Sequence, residues 1–502
     1  MSDNNNRGTK EAPQSKICRR KVIRNGIGLG STGLVIGFAG CLGEDDDTSS
    51  SGGESTTTAS SSGGESIENS NNSSNENGSS ASGNDTNGNN NFKWWNYAGN
   101  QSPLAEEAVQ SRKNSWESNS GTQVGLSIYG YSDITGSKWR SLFDQGRYPP
   151  VIDNFSIYNG PYINQGYIKP MDDWIDWFSD EVQSAIEWTK PILAQKNSGL
   201  EADAYSLPWG VKSYPFILRM DHWEEAGLSP DEFPPTSYDD LVKKAGTLKE
   251  NGPGEWSYQI VGSKFDAVDT DLPSWTIAEG GEDGLFINKG FDDVNIDNQV
   301  WVETFRKYIN LYREYEYSSP ASPTASDEDN LSRLLNGNAS MQTQNIGSHP
   351  TILNRAPQLA DEGDVKYGKL WGPGVLSFYS FSFTTPPDGT DPKKWSQKQK
   401  SAVKMIENQW FSREKQQENI KKLGMMPIWK DTWDSTEADG QTNLVDVESD
   451  HINSSSLGWR NHPELTNLLY TVMPPNMQEA LKGNISADEA LKNAAKEIRG
   501  EL

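Results

Sequence analysis

The chain has 502 residues, of which 33% are hydrophobic, and its 70 Asp and Glu residues outnumber its 45 Lys and Arg residues to give a formal net charge of −25 at pH 7. This charge argues against nucleic-acid binding, which requires basic surfaces, and we predict no nucleic-acid partner. We favour a halophilic protein, because molar salt screens the repulsion between like charges, over an acidic surface that serves solubility alone.

The first predicted element is an export signal over residues 1–40. Arg19 and Arg20 open the stretch RRKVIRNGIGLGSTGLVIGFAGC, in which a basic region precedes an apolar run. The run from 27 to 39 is shorter than the roughly 20 residues that span a bilayer. This pattern is typical of a cleaved signal, and the arginine pair indicates the twin-arginine export route.

The signal ends at a predicted lipidation site. The tetrapeptide FAGC, residues 38–41, resembles the box in which small residues precede a lipidated cysteine, so Cys41 is the expected anchor to the extracellular face of the membrane. The alternative is a soluble secreted protein cut at an ordinary small-residue site. Because the second cysteine, Cys18, lies in the signal, we predict no disulfide in the mature chain.

Residues 41–91 form a predicted disordered tether. The segment consists almost entirely of Ser, Gly, Asn, Thr, Asp and Glu. Such a composition cannot bury enough apolar surface to offset the entropy of ordering. The sequence therefore predicts a flexible connection between an anchor and a folded domain.

The folded part begins with strands that alternate with helices. Strands are predicted over 92–98, 124–128 and 151–155, and helix-like spacing occupies 103–116 and 137–145. This alternation favours a mostly parallel sheet with helices on its faces.

Three further helices are predicted from capping and periodicity. Thr236 and Asp239 have the spacing of a capping box, as do Ser486 and Glu489 near the C-terminus. The helix over 299–315 carries an aromatic stripe that we assign to the core, namely Trp301, Phe305, Tyr308 and Tyr312.

Motifs of common enzymes and metal sites are missing from the sequence. The four histidines form no H-E-x-x-H motif, and there is no G-x-S-x-G elbow or phosphate-binding loop. We therefore predict no metal, no cofactor and no enzymatic activity. A pair of glycosidase carboxylates among the many acidic residues stays open as an alternative.

Five segments in order carry a family resemblance. They are GRYPPVIDNFSIYNGPYINQGYIKPMDDWI at 146–175, AYSLPWGVKSYPFILRMDHWEEAGL at 204–228, PPTSYDDL at 234–241, LLNGNASMQTQNIG at 334–347 and HPELTNLLYTVMPPNMQEALKGNISADEALKNAAKEI at 462–498. In order and spacing, residues 92–502 resemble the extracellular solute-binding proteins of ABC importers, family 1.

The resemblance implies a type II periplasmic-binding-protein fold. Two α/β lobes, each a mixed and mostly parallel sheet flanked by helices, are joined by a hinge and close around a solute. The expected lobes are 92–210 with 374–424, and 211–373 with 425–502. The implied partners are a small-molecule ligand and the importer's permease subunits, and the implied state is a monomer.

The resemblance also implies a set of ligand-binding residues, most of them aromatic or amide-bearing. They are Trp95, Asn96, Tyr97, Asn154, Phe155, Ser156, Trp209, Lys212, Tyr214, Trp275, Gln344, Asn345, His349, Phe378 and Tyr379. Sugar rings stack on aromatic faces, and their hydroxyls bond amides, so we predict a sugar or short oligosaccharide.

Several alternatives stay open. Lys212 is either a solvated surface lysine or the anchor for an anion. The same fold also suits a polyol phosphate, a polyamine or a metal chelate. From other classes, a surface polysaccharide hydrolase and an adhesion protein remain to be distinguished.

Overall fold

The computed structural model describes residues 91–501 except 131–132, 135–137, 190–204, 265, 267–270, 291, 385–388, 437–442, 456, 459, 461 and 463. They belong to one compact unit, residues 82–502. The predicted signal with Arg19 and Arg20, the lipidation site Cys41 and the tether up to residue 90 lie outside the described residues.

The described strands form two sheets. Their bounds are β1 Phe92–Asn96, β2 Val124–Ile128, β3 Val151–Phe155, β4 Leu207–Lys212, β5 Phe216–Arg219, β6 Trp256–Gln259, β7 Ala339–Thr343, β8 Val365–Gly368, β9 Val375–Phe383, β10 Met426–Pro427 and β11 Leu457–Gly458. The larger sheet has seven strands in the order β10-β4-β9-β3-β1-β2, with β11 pairing β9, and the smaller has four in the order β6-β7-β5-β8.

Both sheets are mixed rather than mostly parallel. The first three strands pair in parallel, as the alternation of strands and helices predicts. Strands β3 and β4 both pair antiparallel with β9, and β5 pairs antiparallel with β7 and β8. The antiparallel pairs with β9 arise because β9 re-enters the larger sheet from the smaller one and runs against its neighbours, which local sequence patterns do not reveal.

Helices cover the faces of both sheets. On the N-terminal half they are α1 Pro103–Ser120, α2 Lys138–Asp144, α3 Asn159–Asn164, α4 Asp180–Ile186, α5 Met220–Glu225, α6 Tyr238–Asn251, α7 Leu272–Gly280 and α8 Gln299–Arg313. Further along they are α9 Asp327–Leu335, α10 His349–Arg355, α11 Pro357–Asp361, α12 Pro392–Trp410, α13 Arg413–Gln417, α14 Asn419–Leu423, α15 Leu444–Ser454, α16 Leu465–Asn467, α17 Met473–Lys482 and α18 Ala487–Glu501.

Side-chain caps start several helices. The predicted cap of α18 is confirmed, since Ser486 Oγ accepts a hydrogen bond from Glu489 N at 3.1 Å. The predicted cap of α6 is wrong by one residue. Ser237, not Thr236, accepts from the backbone N–H of Asp240 at 3.1 Å, while the Asp240 carboxylate accepts from Thr236 N. The preceding Thr236-Ser237 pair offers two candidate caps, and only the backbone geometry selects one.

The aromatic stripe of α8 lies in the core, as predicted. Trp301, Phe305 and Tyr308 are fully buried, and Tyr312 packs at the edge of the same cluster. Tyr308 is also anchored by polar contacts, because its hydroxyl donates to Asp271 Oδ2 at 2.5 Å. This contact ties α8 to Asp271, the residue that precedes α7.

Among the described residues, two segments carry the chain between the sheets. One links β4 to β5 through residues 213–215, and the other links β8 to β9 through residues 369–374. Met426–Pro427 also pairs with β4 of the larger sheet, two residues beyond the boundary predicted for lobe one. The lobe boundaries themselves stay a prediction.

Candidate functional site

A cavity of about 230 Å3 lies where the chain passes between the two sheets. Residues that follow strands of the larger sheet line one side, residues of the first crossing line its floor, and residues near the end of β7 line the other side. The lining comprises Tyr97, Gln101, Phe155, Lys212, Tyr214, Asp266, Asp327, Glu328, Gln344, Asn345, Gly347, Ser348, Thr351 and Tyr379.

The two sides of the cavity also touch directly at its rim. Gly424, which follows α14, has a left-handed φ of 63°. A side-chain carbon placed on Gly424 would lie 2.5 Å from the Cα of Gly347, in the loop after β7. Only glycine allows both this backbone conformation and this close approach. Away from the cavity lining, the hydroxyls of Tyr158 and Tyr470 are 2.7 Å apart.

Aromatic rings form the wall on the larger-sheet side. The rings of Tyr97 and Tyr379 stack with centroids 5.5 Å apart and planes only 7° from parallel. Phe155 packs against Tyr379 at 5.5 Å. Pairing of β3 with β9 sets this arrangement, because it places Phe155 directly opposite Tyr379.

Lys212 and Tyr214 form the floor of the cavity. Lys212 ends β4 opposite Ser377 of β9, so its side chain leaves the sheet on the same face as Tyr379, two residues further along β9. Lys212 is only 6% exposed, so the solvated-lysine interpretation is wrong. Tyr214 is fixed by a 3.1 Å bond between its hydroxyl and Ser377 Oγ.

Polar groups dominate the smaller-sheet side. Gln344 and Asn345 follow β7, and the Gln344 Oε1 accepts from Gln342 Nε2 at 2.5 Å. Asn345 Nδ2 donates to Asp327 Oδ2 at 3.0 Å. Glu328 is paired with Arg355 at the surface. The cavity therefore presents amides and carboxylates opposite a wall of rings.

A buried carboxylate supports the aromatic wall from behind. Asp153 of β3 accepts hydrogen bonds from Trp209 Nε1 at 2.8 Å and from Asn96 Nδ2 at 2.5 Å. Burial raises the pKa of Asp153 to about 7, against the opposing effect of the hydrogen bond from Trp209. The Trp209 ring in turn packs on Tyr379 at 5.6 Å. This network holds the wall in position without reaching the cavity.

The crossing next to the cavity carries a second buried polar cluster. Ser213 Oγ lies 2.7 Å from both Glu448 Oε1 and His451 Nδ1, and Ser213 N donates to Glu448 Oε2 at 2.9 Å. Burial raises the pKa of Glu448 to about 7 and lowers that of His451 to about 4. All three side chains are fully buried, so the cluster anchors the crossing on α15 and cannot receive a substrate.

The structure brings seven of the fifteen predicted ligand-binding residues together around the cavity. These are Tyr97, Phe155, Lys212, Tyr214, Gln344, Asn345 and Tyr379. They come from five separate segments of the chain. Their role in ligand binding stays a prediction.

Seven other predicted residues are buried and do not line the cavity. They are Trp95, Asn96, Asn154, Trp209, Trp275, His349 and Phe378. The fifteenth, Ser156, follows β3, and its side chain lies outside the described part of the structure.

Each of these buried residues has a packing role. Trp95 lies between Trp139 and Phe143, with ring centroids 5.6 and 5.2 Å away. Trp275 donates from Nε1 to Thr343 Oγ1 at 3.0 Å inside the smaller-sheet half. Phe378 leaves β9 on the face opposite to Tyr379, because side chains alternate along a strand.

Of the remaining four, Trp209 donates to Asp153 as described above, and the other three bond to neighbouring side chains or backbone. Asn96 Oδ1 accepts from Gly99 N at 2.8 Å and so closes the turn after β1. Asn154 Nδ2 donates to Asn159 Oδ1 at 2.9 Å. His349 Nδ1 lies 3.2 Å from the hydroxyl of Tyr367.

Sequence reasoning missed the acidic part of the cavity. Asp327 and Glu328 open α9, where the pattern S-D-E-D indicates only a helix start, and the structure does show a capping box between Ser326 and Asp329. Asp266 and Gln101 lie in loops without a motif. Acidic residues of an acidic protein give no signal of their own, so only the fold could identify them.

A larger depression of about 690 Å3 lies elsewhere, lined by Trp256, Tyr312, Arg313 and neighbouring residues. Its lining comes from the smaller-sheet half and the C-terminal helices alone. A ligand there would not contact both sheets and could not couple binding to their closure. The cavity between the sheets is therefore the candidate site. In the described residues, no group of three or more His, Cys, Asp or Glu is placed to hold a metal ion.

Two α/β sheet domains with a polar and aromatic cavity at their crossings define a two-lobed solute-binding fold. The sequence profile of the bacterial extracellular solute-binding proteins matches residues 97–369, more than half of the chain. The chain belongs to this family. Its members are substrate-binding receptors and not enzymes, which agrees with the expectation from the sequence.

Solved structures share the fold over 82% of the chain. The GacH receptor of Streptomyces glaucescens, solved unliganded and with acarbose, has a TM-score of 0.65 at 15% identity and is covered over 97% of its length. Maltose-bound MalE3 of T. maritima has a TM-score of 0.63 at 16% identity and is covered completely. A solute-binding protein of Agrobacterium radiobacter K84 in complex with ribitol scores 0.64 at 15% identity, with 98% covered.

Two further findings concern the curated proteins and the helices. No sequence among the curated proteins matches the chain. Of the helices in the described part, none combines the length and the apolar character needed to cross a bilayer.

Proposed function

We propose that this protein is the extracellular substrate-binding receptor of an ABC importer and that it binds a sugar, a sugar alcohol or a short oligosaccharide. The observation that carries the proposal is the composition of the cavity. Stacked rings of Tyr97 and Tyr379 face the amides of Gln344 and Asn345 across it. A sugar ring is complementary to this arrangement, because its apolar face stacks on aromatic rings and its hydroxyls form hydrogen bonds with amides.

The size of the cavity favours a short ligand. Its volume of about 230 Å3 lies below the roughly 300–1,000 Å3 of pockets that hold drug-sized molecules. One or two sugar rings suit this space better than a longer chain. The acarbose, maltose and ribitol complexes of proteins with this fold support the same ligand class.

Binding is coupled to closure through the two sides of the cavity. A ligand that stacks on Tyr379 and bonds Asn345 contacts both sheets at once and therefore stabilises the closed arrangement over an open one. The importer's permease would receive the ligand from that closed form. The predicted lobes, 92–210 with 374–424 and 211–373 with 425–502, are the bodies that would move.

Attachment to the cell surface is part of the proposal. Lipid on Cys41 would hold the receptor at the outer face of the membrane, and the acidic tether would let it reach the permease. A Cys41→Ser variant should be released into the medium. Retention of that variant on the cells would contradict the lipid anchor without affecting the ligand proposal.

A cationic solute is the second candidate, because Asp266, Asp327 and Glu328 line the cavity. Several carboxylates in one cleft would suit a polyamine. The hydrolase alternative loses support from the same residues. All three carboxylates come from the smaller-sheet side, whereas a glycosidase needs a pair that flanks the scissile bond.

Thermal unfolding with a panel of sugars, sugar alcohols and polyamines tests the proposal. A ligand at a hundred times its dissociation constant adds about 2.7 kcal/mol to the free energy of unfolding, which raises the midpoint by a few degrees. A rise with sugars or sugar alcohols supports the proposal. A rise with polyamines alone supports the second candidate, and no rise with any compound argues against both.

A further inference from the structure

The ammonium of Lys212 lies inside a box of three aromatic rings. Its Nζ is 5.1 Å from the ring centroid of Phe155, 5.4 Å from that of Tyr379 and 5.5 Å from that of Tyr214. Each distance is within the roughly 6 Å over which a cation is attracted to the face of a ring. The three rings are all nearly inaccessible to solvent, at 3%, 1% and 2% exposure.

The pairing of the strands fixes the position of the Lys212 ammonium among the three rings. Lys212 and Ser377 are register partners, as are Phe155 and Tyr379, and all four side chains lie on the cavity face of the larger sheet. Tyr214 follows two residues after Lys212 and is held by Ser377. The ammonium is therefore placed by three neighbouring strands and not by a mobile surface side chain.

The surroundings of Lys212 are those of a cation-binding site. The electron-rich faces of three rings attract positive charge, and the attraction grows when water is excluded. Asp266 and Asp327 line the same cavity. Burial raises the pKa of Asp266, and the charge of Lys212 is one of the smaller effects that oppose this rise. Without Lys212 the cavity would combine an aromatic box with carboxylates and present no cation of its own among its described lining residues.

We propose that Lys212 is the specificity-determining residue of this cavity, because its ammonium occupies the aromatic box that a cationic solute would need. The side chain supplies the positive charge from within the protein. Quaternary ammonium compounds and polyamines are thereby rejected by repulsion and by steric exclusion, which argues against the cationic second candidate, while uncharged polyhydroxy compounds bind beside the rings. This inference rests on the proposed function only in that the cavity binds a solute.

Removal of the charge should change the class of ligand. Lys212→Met keeps the apolar stem of the side chain but ends one atom earlier, so it deletes the ammonium and leaves its position between the rings empty. The full chain with this substitution should bind tetramethylammonium or choline at least about tenfold more tightly than the unchanged protein, as the attraction of a desolvated cation to rings implies. Lys212→Gln, whose side chain is shorter than that of lysine and also uncharged, is measured in parallel. If one variant does not fold, the other still tests the proposal.

The matched control is Lys404→Met, which removes the same charge from an exposed position on α12. Its affinity for tetramethylammonium should equal that of the unchanged protein. Titration calorimetry at constant ionic strength reports all three variants and the unchanged protein. Folding is checked by circular dichroism.

The outcomes separate this inference from the proposed function. If neither Lys212 variant gains affinity for tetramethylammonium over the unchanged protein, or if Lys404→Met gains as much, Lys212 does not exclude cations. If the unchanged protein already binds the cation as tightly as the variants, the inference fails in the same way. Sugar binding by the unchanged protein is measured separately, so either idea can fail while the other stands.

Discussion

The wall of the cavity and the layer directly behind it are both rich in aromatic rings, yet they differ in which rings they use. Tyr97, Phe155 and Tyr379 face the cavity, whereas the indole of Trp209 packs on Tyr379 behind it. This indole is larger than the phenyl and phenol rings of the wall. The wall uses rings that end strands or occupy the cavity face of β9.

Neighbouring residues belong to opposite regions because of the pleat. Tyr379 faces the cavity and Phe378 the core on the other face, and Lys212 lies in the aromatic box while Ser213 joins the buried cluster with Glu448. The type of a residue therefore does not determine whether it lines the cavity or lies in the core. Its position along the strand does. The following substitutions test this division.

Trp209→Ala should have the largest effect, a loss of about 3–5 kcal/mol in the free energy of unfolding. The change leaves a cavity behind the wall and removes the hydrogen bond to the buried carboxylate of Asp153. Urea unfolding measures the loss. A change below about 1 kcal/mol would mean that the layer behind the wall is not the rigid support described above.

Glu448→Gln tests the buried cluster by its pH dependence. Because the pKa of Glu448 is raised to about 7 from an ordinary 4.5, the folded protein binds this proton more tightly than the unfolded chain between those values. Its contribution to stability is therefore complete at low pH and is lost as the pH rises to about 7. The loss corresponds to about 3 kcal/mol.

The variant, which is uncharged at every pH, should lack that loss. Between pH 5 and pH 8 its free energy of unfolding should fall by less than that of the unchanged protein. His451, whose pKa is lowered to about 4, contributes with the opposite sign in both proteins, so its effect cancels in the comparison. Parallel pH profiles from urea unfolding would contradict the raised pKa of Glu448.

Tyr379→Leu and Phe378→Leu form a matched pair on one strand. Tyr379→Leu should lower the affinity for the ligand found by thermal unfolding about tenfold, because it removes a stacking surface worth about 1–1.5 kcal/mol. Phe378→Leu should leave the affinity within about twofold and cost stability only. Equal losses of affinity from both would contradict the assignment of opposite faces, and calorimetry distinguishes the cases.

Trp95→Phe should have the smallest effect. The residue packs among Trp139 and Phe143 and does not border the cavity, and phenylalanine preserves part of these ring contacts. We expect a loss of about 1 kcal/mol in stability and no change in ligand affinity. A tenfold loss of affinity in the same titration would return Trp95 to the binding site.

Much of the local structure could be predicted from the sequence. The strands at 92, 124 and 151, the helix from Pro103, the buried stripe of Trp301, Phe305 and Tyr308, and the cap at Ser486 follow from periodicity and capping chemistry. These signals are local and need no knowledge of the fold. The family resemblance added the two-lobed architecture, which no local pattern contains.

The site was only partly predictable. Motif matching identified the segments that end at Tyr97, Phe155, Lys212 and Asn345. These residues lie at or just after the C-terminal ends of strands, and those ends converge on the cavity. It could not decide between adjacent side chains, and so it included Trp95 and Phe378. The carboxylates of Asp266 and Asp327 were missed because no motif accompanies them.

The sequence by itself determined the acidic surface, the separation of an apolar N-terminal segment from a folded domain, the local elements and the family. Only the tertiary structure decided which face of each strand meets the cavity. It also decided that Lys212 is buried among three rings and that carboxylates line the side of the cavity opposite the aromatic wall. The physical reason is that composition and periodicity are properties of neighbouring residues. The cavity is made by strands β3, β4, β7 and β9, whose register depends on contacts between residues far apart in the chain.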